Sequence, residues 1–141
     1  MYKSTTRSSH ETGLEIGDDI PNLKFFDFNR EQVIFKGNCI FVFVSNYCAH
    51  CIDLLPELQG ISDAGNSKLI LFSTGDISDN EEMHKYFNWN FQVVQLNEDE
   101  MEKYFGVVTL PFCMIINKNQ VVKKGVIYNM DDYKYMSDGH R

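Results

Sequence analysis

The sequence predicts an α/β fold: a central mixed sheet with helices on both faces and a β-hairpin at the C-terminal end. Three observations carry this. Two apolar runs, Cys-Ile-Phe-Val-Phe-Val at 39–44 and Lys-Leu-Ile-Leu-Phe-Ser at 68–73, have the length and composition of strands buried on both faces, as in a parallel sheet. Segments of helical period separate the strand candidates. Finally, Asn117-Lys118-Asn119-Gln120 places a turn between the apolar segments 112–116 and 121–127, which reads as an antiparallel hairpin.

Taken in order, residues 1–13 are rich in Ser and Thr without periodicity and are expected to form a flexible tail, with 14–136 as one folded domain and 137–141 frayed. Residues 23–28 read as a short strand or extended segment, with a turn at Asn29-Arg30 before 32–35. Lys36-Gly37-Asn38 is a turn ahead of the central strand. After that strand, Ile52, Leu55 and Leu58 recur at helix spacing, Pro56 should kink the helix, and Gly60 offers a stop. Residues 62–68 read as a loop, 79–88 as a short helix, 91–96 as a strand, and 98–105 as a helix capped by Gly106. A short helix at 129–136 closes the chain.

The 141 residues suffice for one domain with a proper core. Thirteen basic against twenty acidic residues, a net charge of -7, argue against a nucleic-acid footprint, which needs a basic face. No run approaches membrane-spanning length and 1–12 lack the apolar core of a secretory signal, so the expected location is the cytoplasm, without a membrane partner. Four cysteines, at 39, 48, 51 and 113, are too few and too unevenly placed for a small-domain disulfide framework.

The chemistry concentrates at Tyr47-Cys48-Ala49-His50-Cys51, where the central strand gives way to a helix. Cys48 falls at a helix N-terminus, where unpaired N–H groups and the helix dipole favour a thiolate; Cys51 lies one turn further in. One thiol can attack and the other resolve. A zinc site would want a second ligand pair at similar spacing, and His10, His84, His140, Cys39 and Cys113 do not form one, so no metal is expected. Cys39 and Cys113 sit in apolar strands and read as core residues.

A Cys-x-x-Cys between a buried strand and a Pro-kinked helix, followed by Pro111 ahead of a terminal hairpin, resembles the thioredoxin superfamily. Gly17-Asp18-Asp19-Ile20-Pro21-Asn22, the extra helix and strand at about 79–96, and Phe105-Gly106-Val107-Val108-Thr109-Leu110-Pro111-Phe112 resemble its redoxin branch, typified by TlpA- and ResA-like proteins. The resemblance covers roughly 13–126. It implies a thioredoxin-like fold and a thiol–disulfide oxidoreductase, with Cys48 as nucleophile and Cys51 as resolving thiol. It further implies a cis peptide bond before Pro111, a Leu110 backbone that pairs with an extended substrate, and Tyr47 on the substrate-binding rim. His50 resembles the His of strongly oxidising Cys-Pro-His-Cys and Cys-Gly-His-Cys motifs, where the imidazole stabilises the reduced thiolate.

The chain departs from the family at the proton carriers. Val42 occupies the place of a buried Asp, Leu54 that of a Glu, and Tyr47 that of the usual Trp. Asp53 and Glu57 are near in sequence and read as solvent-facing helix charges. The implied partners are a thiol- or disulfide-containing peptide or protein and a redox partner that recycles the pair, with no cofactor beyond the Cys48–Cys51 disulfide and a monomer as the working unit. The length and motif also resemble small thioredoxin-like proteins of bacterial peptide-toxin clusters of the sporulation-killing-factor type, which implies a ribosomally made peptide as client. Two alternatives stay open: a non-enzymatic peptide-binding module on the same fold, and a thioredoxin-type reductant.

Overall fold

The computed structural model describes residues 12–65 and 67–138. Its centre is a five-stranded sheet of order β3-β2-β1-β4-β5. β1 (Asn38–Val44) runs parallel to β2 (Lys68–Ser73), and β2 parallel to β3 (Gln92–Gln95). β4 (Phe112–Asn117) pairs antiparallel with both β1 and β5 (Gln120–Gly125). The sheet is therefore mixed and ends in the expected hairpin. Lys118 and Asn119 both have positive φ, 53° and 67°, the backbone of a two-residue type I′ turn whose twist matches the flanking strands.

Strand alternation divides the core in two. Phe41, Phe43, Ile70, Phe72, Phe112 and Met114 face one side, against α4 (Glu98–Phe105) and the N-terminal segment. Ile40, Val42, Leu69, Leu71 and Cys113 face the other, against α1 (Ala49–Leu54), α2 (Leu58–Ala64), α3 (Ile77–Phe87) and α5 (Met130–Ser137). Both faces of the central strands are buried, which is why they read as continuous apolar runs.

Several boundaries differ from the sequence reading, each for a local reason. The helix after the cysteines is not one kinked rod: Pro56 sits in a 3-10 turn, Leu55–Glu57, between α1 and α2. Gly60 does not stop it, because Leu58 and Ile61 are fully buried and hold α2 through to Ala64, so 62–64 are helix and not loop. Residues 23–28 do not form a strand and make only isolated bridges, Phe26 to Gln32 and Asp27 to Val94. Here the Asp27 carboxylate accepts the Asn29 and Glu31 amides at 2.8 and 2.9 Å, a local turn that competes with ladder formation. α3 begins two residues early because Asp76 caps it, in a reciprocal box with Asp79.

Thr12 and Gly13 fell within the expected tail but are buried. The Thr12 hydroxyl accepts the Val108 and Thr109 amides at 2.8 and 3.3 Å, and its carbonyl accepts the Lys124 ammonium at 3.0 Å. Gly13 donates to the Gly106 carbonyl at 2.7 Å with φ of 82°. The rest of the tail and residues 139–141 lie outside the described residues.

Candidate active site

Cys48 is the N-cap of α1, in extended conformation (φ -101°, ψ 120°), and the Cys51 amide donates to its sulfur at 3.3 Å. The chain turns there because the Cys48 amide donates to the Ser45 carbonyl at 3.2 Å and the Tyr47 amide to the Ser45 hydroxyl at 3.2 Å. Ser45 is itself buried and tied across the sheet end: Thr74 Oγ1 donates to Asn46 Oδ1 at 2.9 Å and accepts the Asn46 amide at 3.1 Å. The loop that presents Cys48 is thus braced by the end of β2.

The two thiols are not equivalent. Cys48 is partly exposed, whereas Cys51 is 1% exposed and receives the Ser45 amide on its sulfur at 3.4 Å. Burial pushes the Cys51 thiol up from its ordinary value of 9.0 to about 12, with the hydrogen bond to Cys48 adding to the rise and the Ser45 amide opposing it. Cys51 therefore rests as a protonated thiol, and the accessible sulfur that accepts an N–H is Cys48.

The second expected component is present as well. Leu110–Pro111 is cis, and Cys48 Sγ lies 3.9 Å from the Leu110 carbonyl. Leu110 is half-buried and Pro111 buried, and the Thr12 hydroxyl accepts the amides of Val108 and Thr109 just before them. On the other side of Cys48, Tyr47 is 89% exposed. His50 is exposed and packs against the ring of Tyr128, 5.0 Å between centroids and tilted by 59°.

The remaining candidates fall away from the pair or serve the fold. Asp53 is exposed, and Glu57 uses its carboxylate to accept the Met130 amide at 3.0 Å, so neither substitutes for the missing proton carriers by contact with Cys51. Cys39 and Cys113 are buried and burial raises both thiols. His84 packs edge-on against Phe28, and Trp89 stacks between Phe87 and Phe91. His10 and His140 lie outside the described residues. Val42 and Cys113 are cross-strand partners, so an apolar pair fills this position of the sheet.

Sequence reading missed Thr12, Ser45 and Tyr128 as site-building residues. Tyr128 carried a signal in Asn129-x-x-Asp132, a helix-start pattern that fixes the loop before α5. The contacts of Thr12, across 96 residues of chain, carried none.

No protein-family model matches this sequence, and neither does any curated protein. Solved structures do. A thio-disulfide isomerase from Thermus thermophilus superposes with a TM-score of 0.69 at 16% identity, over 86% of this chain and 93% of that one. StoA from Bacillus subtilis gives 0.60 at 23% identity, over 75% and 89%. A secreted disulfide oxidoreductase from Mycobacterium tuberculosis, homologous to E. coli DsbE, gives 0.62 at 12% identity, over 76% and 83%. With a mixed sheet of this order, a terminal hairpin and a close cysteine pair at the start of α1, the chain has the thioredoxin-like fold that redoxins of the TlpA, ResA and DsbE kind share.

Proposed function

We propose that this protein is a thiol–disulfide oxidoreductase acting through Cys48 and Cys51. One observation carries the reading: an accessible Cys48 sulfur accepts the Cys51 amide 3.3 Å away and stands 3.9 Å from the Leu110 carbonyl, while its partner thiol is buried and protonated. That asymmetry supports Cys48 as the attacking and Cys51 as the resolving thiol. The Cys48 thiolate attacks one sulfur of a client disulfide; a mixed disulfide forms and the other client sulfur leaves as a thiolate. Cys51 loses its proton and attacks Cys48 Sγ, closing Cys48–Cys51 and releasing the second client thiol. The client gains two electrons and the protein loses two. Run in reverse, a client dithiol is oxidised and the protein is left reduced, to be recycled by a redox partner.

The Leu110 backbone next to the cis-proline supports an extended client segment, with exposed Tyr47 as an apolar rim. His50 supports the oxidising direction, since stabilising the reduced thiolate makes the disulfide the less stable form. We take a disulfide in a ribosomally made peptide as the first client class to test, on the resemblance in length and Cys-Ala-His-Cys motif to proteins of peptide-toxin clusters.

Equilibration against glutathione tests this. The Cys48–Cys51 couple is expected at or above about -200 mV; a value near about -270 mV would make the protein a reductant, and no disulfide at any poise would remove the enzyme reading. The second reading, a peptide-binding module, is favoured by Val42 and Leu54, apolar residues at the two positions where the resemblance expects proton carriers. Cys48→Ser separates the two: it abolishes disulfide exchange in an oxidoreductase and leaves a pure binder unaffected.

A further inference from the structure

We propose that Tyr128 is the positioning residue for His50 and, through it, helps to set how oxidising the Cys48–Cys51 pair is; the inference rests on the thiol–disulfide reading above. The two rings meet from distant parts of the chain. His50 is in the first turn of α1, and Tyr128 is in the loop between β5 and α5. Their centroids are 5.0 Å apart.

The loop is built to hold Tyr128 there. Its amide donates to Asp132 Oδ2 at 2.8 Å, while the Asp132 amide donates to Asn129 Oδ1 at 2.9 Å, so both ends of the loop's last turn are pinned. The Met130 amide donates to Glu57 Oε1 at 3.0 Å, tying the loop to the 3-10 turn that follows α1. Met130 also lies over Gly60, where an added Cβ would come within 3.0 Å of its methyl carbon. Two contacts, at Glu57 and Gly60, thus fix the loop relative to the helical segment that follows the cysteines. Tyr128 is nonetheless 46% exposed, a large ring that the core does not claim.

An exposed imidazole on a helix samples several rotamers. An aromatic contact of about 0.5–1.5 kcal/mol selects one of them. Held against Tyr128 in the first turn of α1, two residues after Cys48, His50 is already ordered when Cys48 carries the negative charge of the reduced state. Tyr128 touches no reacting atom.

The test is the equilibrium between the protein and glutathione disulfide, in which one protein dithiol is oxidised as one glutathione disulfide becomes two glutathiones. Tyr128→Ala should raise the equilibrium constant for protein oxidation about two- to tenfold, because the reduced thiolate loses support. Tyr128→Phe keeps the ring and should behave as the unmodified protein; Tyr128→Leu, which keeps the bulk without the ring, should behave as Tyr128→Ala and serves if the alanine variant does not fold. In a His50→Ala background neither should have any further effect. An equal shift in both backgrounds, no shift in either, or a phenylalanine variant that behaves as alanine would overturn the inference while leaving the enzyme reading intact. Failure of the unmodified protein to form the disulfide would overturn both.

Discussion

Cys51 is the residue on which the chemistry turns. Its thiol is raised to about 12 chiefly by burial, so it holds its proton where Cys48 can react. Once Cys48 is committed to a mixed disulfide, its hydrogen bond and charge no longer act on Cys51; burial and the Glu98 charge remain for the second step to overcome, opposed by the Ser45 amide. The same shift has a stability consequence. An unfolded Cys51 ionises near 9.0, whereas the folded thiol does so near 12, so the unfolded chain binds fewer protons across that window. Stability of the reduced protein should be unaffected below about pH 9 and fall as pH rises towards 12. Denaturant unfolding of the reduced protein from pH 7 upward, against Cys51→Ala, checks this: the variant should lose less stability in alkali. At pH 8, limited iodoacetamide should label Cys48 and spare Cys51, which peptide mass mapping reads directly.

Among the elements, the loop before β4 depends on a residue from the other end of the chain. The Thr12 hydroxyl accepts two of its amides, at Val108 and Thr109, immediately before Leu110 and Pro111. Thr12→Val keeps the shape and removes the acceptor, leaving part-buried N–H groups without a partner at a cost of about 1–3 kcal/mol. Urea unfolding should show a lower midpoint with an unchanged slope. Disulfide exchange should also weaken, because the Leu110 carbonyl facing Cys48 loses its brace. The contact between the 3-10 turn and α5 works in the same way: Glu57, read in the sequence as a solvent-facing charge, is occupied in holding α5 through the Met130 amide.

For the whole molecule, a cluster of phenylalanine rings fills the face of the sheet opposite the cysteine helix. Phe72 is fully buried, with the rings of Phe25, Phe41, Phe43 and Phe105 at 5.6, 5.3, 4.9 and 5.1 Å. These rings join the N-terminal segment, β1, β2 and α4 into one cluster. Phe72→Ala should cost about 3–5 kcal/mol, measured by equilibrium denaturation. The reactive pair lies on the other face, beyond Leu54 and Leu58, so loss of that ring should lower the melting temperature well before it alters the reduction potential. The scaffold and the chemistry are thereby separable by experiment.

Local chemistry made much of this legible. Continuous apolar runs determined the two central strands, because a strand buried on both faces has no polar side to show. Asn119 and its neighbours determined the hairpin, because few residues accept two successive positive φ angles. The cysteine spacing at a strand–helix junction determined where a reactive thiol would stand; the cis bond before Pro111 was implied only by the resemblance around it. What remained depended on contacts between residues far apart in the chain, which leave no periodic trace. Packing of Leu58 and Ile61 carried α2 past Gly60, and the Asp27 turn displaced an expected strand. Only the tertiary structure buried Cys51 more deeply than Cys48, brought Thr12 to the cis-proline loop and set Tyr128 against His50, since desolvation and long-range contact exist only once the chain has folded.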